Sequence, residues 1–149
     1  MSDTVVLRPM QKSDTRAVTA MMTEFYASDA VSTNGSAEIF AADINECISP
    51  SPYAEGYVFE DAGNICGYAM LAKSFSTEFG KRCIWVEDIY LAEEYRGKGL
   101  ADRLFAMLEE KYSGCLLRLE AEHENRHAMH VYLKNGFDEL PYAELKKQI

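Results

Sequence analysis

Two adjacent carboxylates, Glu87 and Asp88, close an otherwise apolar run, and the chain then passes through RGKGLA, residues 96–101, before an amphipathic stretch. The backbone N–H groups in the first turn of a helix have no intrahelical partners. The helix dipole adds partial positive charge there, so such a turn attracts phosphate. Gly97 and Gly99 would let the main chain come close to that group, Ala101 keeps the first turn slim, and Arg96 and Lys98 add positive charge. The same residues also suit an exposed turn that uses glycine for its dihedrals and basic side chains for solubility, so the turn alone leaves both readings open. Two nucleotide motifs are excluded by spacing, because neither G-x-G-x-x-G nor G-x-x-x-x-G-K-[ST] is present.

The elements that must hold these residues are legible from periodicity. VVLRP, residues 5–9, reads as a strand. Ser13 or Asp14 can cap a helix carrying Val18, Met21, Met22, Phe25 and Tyr26 at helical spacing. Residues 27–36 form a polar loop. A second helix is expected over 37–48, with Ile39, Phe40, Ile44, Cys47 and Ile48 on one side and Pro50 marking its end. The period then changes to that of strands in GYVFE, ICGYAMLAKSF and RCIWVEDIYL, the first two joined by the turn-forming DAGN. From Gly99, the residues Leu100, Leu104, Met107, Leu108 and Tyr112 define a helix that Gly114 ends. CLLRLEA is a further strand, NRHAMHVYLKN a short helix closed by Gly136, and FDELPYAELKK one or two final strands. The expected fold is a mixed α/β sheet, mostly antiparallel, with helices on both faces.

At 149 residues the chain suits one domain, expected over 1–149, and this length buries roughly 70% of the surface of the unfolded chain. Cys47, Cys66, Cys83 and Cys115 form no C-x-x-C pair and read as reduced, buried small hydrophobes, which favours the cytoplasm. No segment resembles a signal peptide or approaches the roughly 20 apolar residues of a membrane span, so a soluble protein is expected. The net charge of -9 argues against nucleic-acid and anionic-membrane partners and is compatible with amines.

YRGKGLADRLF is similar to the acyl-CoA signature R/Q-x-x-G-x-G/A of the GNAT superfamily of N-acetyltransferases, with Arg96, Gly99 and Ala101 at its positions. NRHAMHVYLKNGF resembles that superfamily's N-x-x-A-x-x-x-Y-x-x-x-G-F element at Asn125, Ala128, Tyr132, Gly136 and Phe137. The order of elements agrees with the family along nearly the whole chain. The resemblance implies a GNAT-type sheet whose central strands splay apart, with acetyl-CoA as co-substrate and its pantetheine arm in the gap. It further implies that Ile89, Tyr90 and Leu91 offer strand backbone, that residues 96–102 (Arg96, Gly97, Lys98, Gly99, Leu100, Ala101 and Asp102) cradle the pyrophosphate, and that Asn125 and Tyr132 add cofactor contacts. It leaves room for a homodimer.

Acetyl transfer to an amine has a protonation problem, since with a pKa of about 10.4 no more than about one amine in a thousand is neutral at pH 7. A base or a water relay must take the proton. Glu87 and Asp88 are the available carboxylates, and neighbouring strand residues face opposite ways unless a bulge intervenes, so one of them should face the substrate. VEDIYL most resembles the polyamine and diamine branch, where the first acid of such a pair is the base, which ranks Glu87 above Asp88. The departing thiolate needs a proton, and by resemblance Tyr132 donates it. Glu24, Tyr26 and Asp29, with Glu87, are candidate contacts for a small primary amine such as a polyamine, diamine or amino acid side chain. No cysteine lies in either motif, so direct transfer in a ternary complex is expected. Two rivals remain. One is an acyl-CoA sensor without turnover. The other is a zinc hydrolase, because HENRH fits H-E-x-x-H at His123, Glu124 and His127. His123 should end a strand while His127 lies on a helix, which speaks against a shared metal face, and no metal is expected.

Overall fold

The computed structural model describes residues 4–28 and 35–149. Five strands form one sheet in the order β1-β2-β3-β4-β5: β1 Val5–Pro9, β2 Ala54–Asp61, β3 Asn64–Ser76, β4 Lys81–Leu91 and β5 Leu116–Leu119. The first four pair antiparallel, and β5 joins β4 in parallel. The helices are α1 Thr15–Tyr26, α2 Ala37–Ile48, α3 Leu100–Lys111 and α4 Arg126–Lys134. None of them is long and apolar enough to cross a membrane.

Alternate residues of the central strands feed two cores. Val58, Tyr68 and Met70 pack beneath α1 and α2 with Val18, Met22, Phe40 and Ile44. Phe59, Ala69, Leu71, Ile84 and Val86 meet Leu100, Leu104, Phe105 and Leu108 of α3 on the other face. Burial on both faces explains why these antiparallel strands lack the usual apolar/polar alternation. Each side chain buried as fully as Leu104 and Leu108 contributes about 1.5–3 kcal/mol.

Several local details differ from expectation. Asp14 occupies the N-cap position of α1 without capping it. Its carboxylate instead receives both terminal nitrogens of Arg8 at 2.9 Å and the Gln11 N–H at 2.8 Å. Ser36 does cap α2, accepting the Ile39 N–H at 3.3 Å. Ile39 itself is 48% exposed, because it stands about 100° round the helix from the buried Phe40. The β2–β3 hairpin turns on Ala62 and Gly63, both at positive φ.

The final strands are absent, since residues 137–149 hold neither helix nor strand. Pro141, which has no N–H to donate, interrupts any ladder in the middle of the segment. Side chains hold the tail instead: Glu139 meets His123 at 2.5 Å, and the Tyr142 hydroxyl donates to Glu78 at 2.6 Å.

Candidate active site

β4 and β5 are paired only where Cys83–Val86 lies against Leu116–Leu119. Beyond Val86, β4 runs on to Leu91 with one edge on β3 and the other facing a cavity of about 1040 Å³. Ile89, Tyr90 and Leu91 line it along this edge. Gly67 of β3 allows the close approach on the paired edge, since a Cβ there would stand 2.6 Å from the Tyr90 carbonyl oxygen.

The register places Met70 opposite Asp88 and Leu71 opposite Val86, so Glu87 is the extra residue of a β-bulge. The bulge shifts the strand's phase. Ile84 and Val86 face α3, as do Ile89 and Leu91, whereas Asp88 and Tyr90 turn towards α1. Both carboxylates consequently line the cavity, although adjacent residues of a regular strand would not. Asp88 is 5% exposed and accepts hydrogen bonds from Tyr26 at 2.9 Å and Tyr68 at 2.8 Å. Burial raises its pKa against the lowering effect of those two bonds. Glu87 is more accessible, and its carboxyl is also raised, first by desolvation and then by Asp88, Glu144 and Asp43. Glu24 lines the same space and accepts the Tyr90 hydroxyl at 2.5 Å. Asp29 lies outside the described residues.

After β4 a 3-10 turn, Glu93–Tyr95, leads to the glycine loop. Gly97 and Gly99 have φ of +71° and +80°, a region that side chains with a Cβ rarely occupy. Gly99 is the N-cap of α3 and has no side chain to cap it, so the first-turn N–H groups are left for another acceptor. Gly97, Gly99, Leu100, Ala101 and Asp102 all border the cavity. The two basic residues of the loop behave differently from expectation. Arg96 borders the cavity but folds back, its Nε donating to the Leu91 carbonyl at 2.8 Å and its guanidinium lying 5.3 Å from the Tyr90 ring. Lys98 is exposed and does not line the cavity. Asp102 is bound to α4 through Asn135 at 2.8 Å and Lys134 at 3.2 Å.

α4 closes the far wall. Asn125 caps it, accepting the Ala128 N–H at 3.3 Å, and also borders the cavity. Tyr132 packs edge-on against Phe105, 6.0 Å between ring centres, and lines the cavity. Desolvation raises its pKa, which keeps the hydroxyl protonated. Among the described residues that hydroxyl has no hydrogen-bond partner. His127, His130, Lys134 and Glu120 also line the cavity, although no sequence pattern singles them out for it. The Glu144 carboxyl of the tail lies beside that of Glu120, and this proximity, with burial, pushes the Glu120 carboxyl up to about 7. His123 sits in the turn before α4 and is engaged by Glu139, so it does not share a helical face with His127. Among the described residues, no three His, Cys, Asp or Glu side chains are placed to hold a metal ion.

The sequence profile of the acetyltransferase (GNAT) family matches residues 19–137. An uncharacterized N-acetyltransferase, YhfO of Bacillus subtilis (strain 168), is 32% identical over 87 residues, 55% of this chain and 57% of that protein. The thialysine N-epsilon-acetyltransferase of Bos taurus is 36% identical over 83 residues, 54% of this chain and 48% of that protein. The matched part thus spans about half the length of these relatives. Among solved structures, the aminoglycoside N-acetyltransferase AAC(6')-Iy in complex with CoA superposes with a TM-score of 0.79 at 16% identity, covering 97% of this chain and 94% of that one. With the profile spanning both motifs and the fold shared, the chain belongs to the GNAT family of acetyltransferases.

Proposed function

We propose that this protein transfers an acetyl group from acetyl-CoA to a small primary amine, directly and within a ternary complex. The observation that carries this reading is the Tyr132 hydroxyl, protonated and without a hydrogen-bond partner among the described residues, at the cavity where β4 leaves β5.

The residues present fit acetyl-CoA. The free edge of β4 at Ile89–Leu91 offers peptide groups to the pantetheine arm, while the uncapped first turn of α3 offers N–H groups to a diphosphate. Among the described residues other than its chain neighbours, a Cβ on Gly99 would meet Asp102 Oδ2 alone, at 3.9 Å, so the cradle is open. Bound there, acetyl-CoA supplies a thioester whose acyl carbon is open to attack by an amine nitrogen.

Glu87 takes the proton from the amine, directly or through a water, and the upward shift of its pKa brings it nearer the working range of a base. Asp88, fixed by Tyr26 and Tyr68, adds negative charge beneath the acceptor and positions Tyr26 beside it. Tyr132 gives its Oη proton to the departing sulfur. Among the described residues no cysteine lines the cavity, which supports direct transfer over an acetyl-enzyme. Glu24, Glu87 and Asp88 make the acceptor side anionic, as suits an ammonium-bearing acceptor such as a polyamine, a diamine or an amino acid side chain.

Glu87→Gln tests the base. At pH 7 it should lower turnover by about 10²–10⁴ with acetyl-CoA affinity retained. The defect should shrink as pH approaches the amine's own pKa of about 10.4, where solvent has already removed the proton. A defect of equal size at pH 7 and pH 10 would remove Glu87 from this role.

A further inference from the structure

Of the two cations that the glycine loop was expected to supply to the phosphate cradle, Arg96 alone borders the cavity. Its Nε is committed to the Leu91 carbonyl and its guanidinium lies over the Tyr90 ring, and Lys98 lies off the cavity. The loop instead presents a carboxylate, because Asp102 stands in the first turn of α3 and borders the same space. An anion added there meets an anion already in place.

The counter-charge comes from the other wall. Lys134, at the end of α4, borders the cavity and holds its Nζ 3.2 Å from Asp102 Oδ2. Resting on the acetyl-CoA reading above, we infer that Lys134 is a cationic phosphate ligand of the cofactor, stored on Asp102 and transferred to a cofactor phosphate on binding.

The two partners of Asp102 are built differently. Asn135 donates to Asp102 Oδ1 at 2.8 Å and to the Val131 carbonyl at 2.8 Å, so both amide hydrogens are committed and the side chain is pinned to its own helix. That tether holds α4 to α3 and keeps the Asp102 carboxylate hydrogen-bonded when Lys134 leaves. Lys134 makes the longer contact on a flexible stem, and its side chain is 52% exposed. An exposed ion pair of this kind contributes little to folding, so exchanging Asp102 for a phosphate costs little. The exchange also brings a cation between Asp102 and the incoming phosphate, which lessens their repulsion.

Calorimetry with acetyl-CoA, its 3′-dephospho form and S-acetylpantetheine tests this on the wild type, Lys134→Met and Asp102→Asn. Lys134→Met keeps most of the stem and should weaken acetyl-CoA binding by about tenfold, the worth of one charge-assisted contact. S-acetylpantetheine, which has no phosphate, should bind both proteins equally. Asp102→Asn releases the lysine and removes the resident anion, so it should tighten acetyl-CoA binding. A loss that persists with the 3′-dephospho cofactor assigns Lys134 to the diphosphate, and one that vanishes assigns it to the 3′-phosphate. Unchanged acetyl-CoA affinity in Lys134→Met would overturn the inference. So would an equal loss for S-acetylpantetheine, or an Asp102→Asn defect matching that of Lys134→Met, because either result makes the pair a structural clamp. Failure of the wild type to bind acetyl-CoA at all is a different result, which removes the cofactor reading itself.

Discussion

Tyr132→Phe should bind acetyl-CoA as the wild type does and turn over about 10²–10⁴ more slowly, the usual worth of a positioned acid or base. The substitution removes one oxygen and keeps the ring. Phe105 and Phe137 lie 6.0 and 6.2 Å from its centre, and both contacts survive in the variant. Because the hydroxyl has no partner within the described protein, its removal orphans no buried group and the melting temperature should hold. A purely structural tyrosine at this position would give the opposite pattern, with activity retained. Measuring cofactor affinity, melting temperature and turnover on the same preparation separates the two.

Gly99→Val should abolish measurable acetyl-CoA binding. Its isopropyl group would fill the open space over the first turn of α3, and two or three amide–phosphate hydrogen bonds at roughly 1.5–3 kcal/mol each would be lost. That weakens binding by at least about a hundredfold. A second effect accompanies it, because Gly99 has φ of +80° and a β-branched residue there strains the backbone by about 1–3 kcal/mol. Gly80→Val controls for this. Gly80, in the β3–β4 turn, has φ of +64° and open space around it, so valine there brings comparable strain away from the cavity. Both variants should melt at lower temperature and only Gly99→Val should lose the cofactor. Equal loss of affinity in the two would mean that destabilisation, rather than a blocked cradle, explains the defect.

The glycine loop and the α4 motif were legible because backbone requirements leave a local mark: Gly97 and Gly99 sit where positive φ is needed, and Asn125 sits where a helix begins. The bulge at Glu87 was legible too, in retrospect. The residues facing α3 are Ile84 and Val86 and then Ile89 and Leu91, and this change from even to odd positions requires one extra residue between them. That residue is the reason both acids reach the cavity. Lys134 and Glu144 were not legible in this way. Each acts on a group distant in the chain, Asp102 and Glu120 respectively, and a charged residue on an exposed helix or tail has no local pattern that names its partner. The tail forms no strand although the order of elements suggests one or two there, because a ladder needs a donor at Pro141 that proline does not have.

The central claim is that the cavity performs transfer and does not merely hold an acyl-CoA. It is tested most directly by incubating the protein with acetyl-CoA and, in turn, a panel of polyamines, diamines, lysine analogues and aminoglycosides, while following the release of free thiol. The account predicts thiol release that requires a primary amine, saturates with it, and yields one acetylated amine per thiol. Tight binding of acetyl-CoA with no amine-dependent thiol release across the panel would contradict it and leave an acyl-CoA sensor in its place.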